Sequence, residues 1–340
     1  MIQRALVTGA TGMLGSYIVE RLQAEGAQVR GLVRQPDQAG WLAQRGVELC
    51  AGELGDREAV RRAAAGCDTV FHAAAAIGSG TDWGAFYWAN VVGTANMLAA
   101  AEGAGARLVC VSSTAVFGRA RYRATPTDET VRLPELPGYD HYGRSKQLAE
   151  LHVLEAHEAG RQWTCVVRPP VMYGRRDRQF APRLAPVVET GVFPLIGGGR
   201  SILTLAHARS VADGAVRAAS TDTAGGRIYH LTNDAPVSVS LLVRSAGVGL
   251  DRSVHAPRLP IPVGKGGFAA LGLAFRMAGR GDLARHVRGT FDMLTRDNPF
   301  TSDRARSELS WEPDIDPAFE LVEAFRWWKE HKASRNGRTR

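Results

Sequence analysis

Apolar positions follow two rhythms over the first half of the chain. Short runs with strand character are Ala5-Leu6-Val7, Gln28 to Val33, Val47 to Cys50, Thr69 to Phe71, Arg107 to Ser112 and Thr164 to Arg168. Between them lie stretches whose apolar residues recur at helical spacing: Ser16 to Glu25 with Tyr17, Ile18 and Leu22, Arg57 to Ala65 behind a capping Asp56, Trp83 to Glu102, and Tyr139 to Gly160. Strand and helix in alternation predict an α/β fold, a doubly wound parallel sheet covered on both faces, with ligands at the carboxyl ends of the strands. After Arg168 the rhythm loosens. Pro169, Pro170, Pro182, Pro186 and Pro194 interrupt it, and Gly197-Gly198-Gly199 reads as a loop. Residues 169–332 are expected to form mainly a smaller, α-rich lobe with some segments returning to the core. A last helix is expected over Pro317 to His331, with Phe325 and Trp328 on its stripe, and residues 333–340 are expected to be a disordered basic tail.

The first strand runs directly into Thr8-Gly9-Ala10-Thr11-Gly12-Met13-Leu14-Gly15 and then into a helix. Gly9 permits a tight turn, Gly12 admits the backbone to a pyrophosphate, and Gly15 lets helix and strand pack closely. The N–H groups opening the helix favour phosphate. Residues 1–168 thus read as a Rossmann-type dinucleotide-binding core.

Composition sets limits. In a chain of 340 residues, apolar residues are 45% and charged residues 22%, ordinary for a globular protein. The first strand starts almost at Met1, so no signal peptide is expected, and no run reaches the ~18 apolar residues of a membrane span. The nearest, Phe268 to Phe275, reads as a core helix or a membrane-touching patch, with core favoured. Four cysteines, Cys50, Cys67, Cys110 and Cys165, form no C-x-x-C pair, so neither metal nor disulfide is expected and a reducing cytoplasm fits. The net charge of +8 includes Lys332, Arg335, Arg338 and Arg340 near the end. The other arginines are scattered without interleaved aromatics, a pattern that suits anionic cofactors or substrates and not nucleic acid.

Tyr142-Gly143-Arg144-Ser145-Lys146 places a phenol and an ammonium on one helix face. A phenol titrates near ~10, and a neighbouring cation favours its ionised form. Tyr142 can then exchange a proton with a carbonyl or alcohol, and Lys146 can hydrogen-bond a ribose. The strand Val109 to Ser112 continues into Ser113-Thr114 at the ligand edge, where Ser113 can donate to a substrate oxygen or merely cap the strand.

Taken together these segments resemble the extended short-chain dehydrogenase/reductase superfamily, the NAD-dependent epimerase/dehydratase group. The matching segments run in order: Thr8 to Gly15, Gly52-Glu53-Leu54, Phe71 to Ala75, Asn90 with Gly93-Thr94, Ser112 to Gly118, Tyr142 to Lys146, Arg168 to Gly174, Ala206-His207 to Asp213, and Thr301 to Pro313 with Ser310 where glycine is usual. The resemblance implies Ser113, not Ser112, as the catalytic hydroxyl, Tyr142 as the acid-base, Lys146 as the cation that lowers its pKa and holds ribose, and Asn90 as a support for the central helix. It also implies cofactor contacts from Gly9, Thr11, Gly12, Met13, Leu14 and Gly15, from Glu53, Leu54, Ala73, Ala74, Ala75 and Val111, and from Pro169 and Val171. Relatives often pair through the helices Trp83 to Glu102 and Tyr139 to Gly160, so a homodimer is expected. The Val-Arg strand ending and the Arg-Pro-Pro segment look most like dihydroflavonol-reductase, 3β-hydroxysteroid-dehydrogenase and related ketoreductase branches.

Two departures sharpen the expectation. Glu53 stands where the family has Asp, and it either meets adenine differently or turns to solvent. The second strand ends Leu32-Val33-Arg34, where NAD-using members place an acid. Arg34 can pair with a 2′-phosphate, which favours NADP(H) over NAD(H), unless it is simply a solvated strand end or Asp37 folds back to the ribose. The leading expectation is an NADP(H)-dependent interconversion of a secondary alcohol and a ketone. An NAD-dependent sugar-nucleotide epimerase or dehydratase is the alternative, and a non-catalytic nucleotide sensor ranks third. Phe180, Val187, Val188, Phe193, Leu195, Phe268 and Leu271 are expected to form core or to line an apolar substrate site.

Overall fold

The computed structural model describes residues 1–78, 82–232 and 234–336, without the side chains of 119–121, 282, 285–286 and 333–336. Two compact units divide the chain. One comprises Met1–Met172, Ala206–Asp234 and Phe300–Asp314. The other comprises Tyr173–Leu205, Ala235–Pro299 and Ile315–Arg340.

The first unit is built on a seven-stranded parallel sheet. Its strands are β1 (Arg4–Thr8), β2 (Gln28–Val33), β3 (Glu48–Ala51), β4 (Thr69–His72), β5 (Arg107–Val111), β6 (Thr164–Arg168) and β7 (Ile228–His230), in the order β7-β6-β5-β4-β1-β2-β3. Successive residues of each strand serve opposite faces, as the pleat requires. Ala5, Val7, Val109 and Val111 pack with the helices Met13–Ala24 (α1) and Ala208–Ser220 and with the fully buried Trp311. Leu6, Leu108 and Cys110 pack on the other face with Val60, Met97, Leu98, Val153 and Ala156. These five come from the helices Arg57–Ala64, Gly93–Ala104 and His141–Glu158. Asp56 and Asp140 cap two of these helices, accepting from Ala59 N at 3.0 Å and Gly143 N at 3.0 Å.

The expected doubly wound sheet is present. β7 was not expected, because it lies past Arg168, where prolines and glycines interrupt the alternation on which the other strands were read. The long helix begins at Trp83–Phe86, passes through a π-helical turn at Tyr87–Val92, and continues as Gly93–Ala104 until Gly105 closes it in the left-handed conformation, φ 64°. All four cysteines are free thiols. Burial pushes the Cys110 thiol up to about 11 and raises Cys165 further, so both behave as apolar filling.

The second unit packs the helices Phe180–Glu189, Val239–Gly249 and Pro317–Asn336 around Val188, Leu242, Phe325 and Trp328. A two-stranded parallel piece pairs Leu195–Ile196 with Arg258–Leu259. The helices Ile261–Met277 and Gly281–Thr295 follow as a hairpin, with Phe268 and Phe291 in ring contact at 5.4 Å. Two expectations are corrected here. The last helix runs on through Asn336, so the first four residues of the expected tail are helical, while 337–340 lie outside the described residues. Phe268 to Phe275 is not a core helix. Only Gly264 and Gly272 of Ile261–Met277 are buried, because the helix packs chiefly against its hairpin partner.

Candidate active site

The glycine turn after β1 is shaped by what has no room for a side chain. A Cβ on Gly15 would stand 2.2 Å from the Gly9 carbonyl oxygen, and one on Gly9 would meet Ala74 N at 2.9 Å. Gly9 also has φ +69°, which glycine adopts without strain. Gly12 N–H donates to Gly9 O at 2.8 Å, and Gly12 opens α1 without a side-chain cap. Thr11 and Met13 are half-buried around this bare backbone, and Leu14 is buried beneath it. The cradle, set at the switch between β1 and β4 where the sheet order reverses, fits a dinucleotide pyrophosphate.

One chain of hydrogen bonds ties this turn to the helix that carries Tyr142. Ala74 N–H donates to Thr8 Oγ1 at 3.1 Å, and Thr94 Oγ1 donates to the Asn90 carbonyl at 2.6 Å. His72 lies between the two hydroxyls, its Nδ1 2.9 Å from Thr8 Oγ1 and its Nε2 3.1 Å from Thr94 Oγ1. Since the Thr94 proton is committed to Asn90, Nε2 donates to Thr94 and Nδ1 accepts from Thr8, which assigns the neutral tautomer from its partners. Asn90 carries the chain on. Its side chain accepts from Ala76 N at 2.7 Å and donates to Ala76 O at 3.0 Å and to Ser145 Oγ at 2.9 Å. Ser145 Oγ in turn donates to Tyr142 O at 2.8 Å. The π turn places the Asn90 side chain across the gap between the β4 loop and the Tyr142 helix.

Full burial, aided by the Lys146 charge, holds the His72 pKa down at about 3. An unfolded histidine binds its proton near ~6.5, so folding excludes a proton between these values. The stability is complete above ~6.5 and is lost as pH falls toward about 3. At about pH 5 this costs about 2 kcal/mol, and His72→Gln is expected to reduce the fall in urea unfolding free energy between about pH 7 and pH 5 by that amount. An unchanged fall in the variant contradicts the assignment.

At the end of β5 the two neighbouring serines part company. Ser112 is buried and its hydroxyl donates to Glu150 Oε1. Ser113 is half-buried, and its Oγ accepts from Ala115 N at 3.1 Å. Lys146 is buried and donates to Val111 O at 2.6 Å, which fixes its ammonium under the edge of the sheet. Tyr142 is half-buried with its ring 6.4 Å from that of Phe86. Pro169 is buried and accepts from Thr114 N at 2.9 Å, which joins the β6 edge to the Ser113 segment. Val171 beyond it is 47% exposed.

The glycine turn, Ala73 to Ala75, Val111, Ser113, Asn90, Tyr142, Lys146 and Pro169 are therefore linked along one sheet edge. Arg34 and Glu53 lie beyond β2 and β3. Both are exposed, and among the described residues neither side chain has a hydrogen-bond or ion-pair partner. Leu54 carries its backbone into the core instead: it accepts from Asn96 Nδ2 at 2.8 Å and lies against Gly93.

Two features of this edge were not read from the sequence. One is the Thr8–His72–Thr94 relay. The other is the ion pair of Arg168 with Glu150, both 2% exposed, with Arg168 Nη2 2.6 Å and Nε 3.0 Å from the carboxylate and His230 Nε2 at 3.5 Å. Burial and the Arg168 charge hold His230 neutral, its pKa down at about 3. Glu150 lies one helical turn after Lys146, a spacing that would have singled it out. Of the apolar residues expected as core or pocket, Val188, Phe193 and Leu195 are core of the second unit, while Val187 and Leu271 are exposed. A cavity of about 600 Å³ in that unit is lined instead by Arg200, Arg258, Leu259, Pro260, Ile261 and Pro262, together with Gly197 and Gly198.

Residues 5–231 match the model of the NAD dependent epimerase/dehydratase family. The chain is 34% identical over 316 residues to 4-hydroxy-2-methyl-3-oxo-4-farnesyl-3,4-dihydroquinoline-1-oxide ketoreductase of Stigmatella aurantiaca, covering 91% of each protein. It is 34% identical over 274 residues to 2-alkyl-3-oxoalkanoate reductase of Stenotrophomonas maltophilia, covering 75% of this chain and 77% of that one. Against bovine (Bos taurus) sterol-4-alpha-carboxylate 3-dehydrogenase, decarboxylating, identity is 31% over 269 residues, 76% of this chain and 73% of the other. Among solved structures, gox2253 superposes with a TM-score of 0.77 at 27% identity, over 97% of this chain and 98% of that one. MoeE5 in complex with UDP-glucose and NAD shares the fold, with a TM-score of 0.69 at 22% identity over 97% and 99% of the two chains. The chain belongs to the NAD dependent epimerase/dehydratase family.

Proposed function

We propose that the protein is an NADP(H)-dependent ketoreductase that interconverts a secondary alcohol and a ketone on an apolar metabolite. The observation that carries this reading is the linked edge itself: Ser113, Tyr142 and Lys146 stand on elements that hydrogen bonds join to the glycine turn. Bound at that turn, the nicotinamide ring supplies or accepts the hydride. Tyr142 gives its phenolic proton to the substrate oxygen in reduction and takes it back in oxidation. Ser113 donates to the same oxygen and stabilises the charge that develops there. Lys146 spends one donor on Val111 O, which leaves two for the ribose hydroxyls and the Tyr142 oxygen. The apolar substrate class follows the similar proteins, whose names specify farnesyl, alkyl and sterol groups.

Arg34 supports the phosphorylated cofactor. It cannot accept from ribose hydroxyls, but its exposed guanidinium can donate twice to a 2′-phosphate. A charge-assisted hydrogen bond contributes roughly 1.5–3 kcal/mol, about one to two decades of affinity. NADPH is expected to bind at least about tenfold tighter than NADH, Arg34→Asp to reverse or abolish the preference, and Asp37→Ala to change it little. Titration by cofactor fluorescence measures all three, and equal affinities in the unmodified protein refute the assignment. Steady consumption of NADPH with a ketone separates this reading from an epimerase, which returns the hydride to its own substrate.

We further infer a homodimer through the two helices that leave apolar side chains exposed in the first unit, with Tyr87 and Trp88 on one and Leu148 and Leu151 on the other. Light scattering is expected to give twice the chain mass, and Trp88→Glu to give the single mass. A single mass for the unmodified protein contradicts it.

A further inference from the structure

The helix Ile261–Met277 has two unlike sides. Gly264, Phe268, Gly272 and Phe275 fall on one, and that side packs within the second unit. On the opposite side lie Val263, Ala270, Leu273 and Met277, all exposed, with Met277 at 78%. A surface helix ordinarily turns its polar face to water, whereas this one turns an aliphatic stripe outward. Its charges are of one sign. No acidic residue occurs from Ile261 to Arg280, while Lys265, Arg276 and Arg280 are exposed, and the eleven-residue spacing of Lys265 and Arg276 puts both on one flank of the stripe.

We propose that this face lies on an anionic lipid bilayer, with the stripe among the acyl chains and the cations among the headgroups. The charge pattern disfavours this helix pairing with its own copy, which would bring the same cations and no acids from Ile261 to Arg280. Length decides against spanning. Seventeen residues rise about 25 Å, short of the ~30 Å hydrocarbon core, and no helix among the described residues is long and apolar enough to cross a membrane. None of the residues of this face belongs to the cofactor cradle or to the Tyr142 edge.

The test is flotation of the full-length protein with phosphatidylcholine vesicles, with and without about a quarter phosphatidylglycerol. The protein is expected to float with the anionic vesicles at low salt. Leu273→Glu/Met277→Glu is expected to lower its partitioning at least about tenfold, and Lys265→Glu/Arg276→Glu to reduce it to the level on neutral vesicles. Far-UV circular dichroism and light scattering accompany each variant. Three results overturn the proposal: no flotation of the unmodified protein, equal flotation of the Leu273→Glu/Met277→Glu variant, or a halving of particle mass in that variant. The last would make the face a subunit contact.

Discussion

Tyr142→Phe is expected to lower turnover by about 10²–10⁴ while leaving the affinity for the nicotinamide cofactor near its original value. The substitution removes one hydroxyl and nothing that shapes the cradle. The glycine turn, the Lys146–Val111 contact at 2.6 Å and the Asn90–Ser145 bond at 2.9 Å are made by other atoms. A steady-state assay of ketone reduction beside a cofactor titration reads both quantities. Turnover close to that of the unmodified protein would remove Tyr142 from its role and leave the edge without a proton donor of matching placement.

Glu150→Ala is expected to destabilise the fold strongly. Arg168 and Glu150 are each 2% exposed, and removing the carboxylate leaves a buried guanidinium beside a neutral His230 and an unpaired Ser112 hydroxyl. Breaking such a pair costs about 3–5 kcal/mol, because the remaining charge has neither water nor counter-ion. Replacing both partners by apolar residues of similar volume, Glu150→Leu with Arg168→Met, is expected to recover most of the loss. Urea unfolding of the three proteins measures this. A Glu150→Ala variant within about 1 kcal/mol of the parent would show that water reaches the pair.

The sheet and the glycine turn were legible because their determinants are local. A strand, three glycines and a helix within about twenty residues leave few alternatives, and Tyr142 and Lys146 advertise a shared face by spacing alone. Long-range partners were not legible. Arg168 and Glu150 belong to different elements, and nothing in either segment names the other. Ser112 and Ser113 look alike in the sequence, and only the carboxylate beneath the strand distinguishes them. The second unit is assembled from three separated stretches, so its helices carry apolar stripes whose partners lie far along the chain. Ile261–Met277 misled for a related reason. Its apolar composition reads as burial, yet most of its surface has no partner helix. Asn90 was legible as a residue and not as a geometry, since a π turn has no sequence signature of its own.

That π turn bears on which changes of length the chain can absorb. A π turn is an α-helix with one residue to spare. Deleting Val91 or Val92 would restore a regular helix. It would also rotate everything before the deletion by about 100° and draw it in by about 1.5 Å. Met97 and Leu98 would keep their places under the sheet, but Asn90 would swing away from Ala76 and Ser145. The fold would tolerate the shortening better than the active edge would. Among descendants of this chain, loss of that single residue would therefore mark the copies released from catalysis.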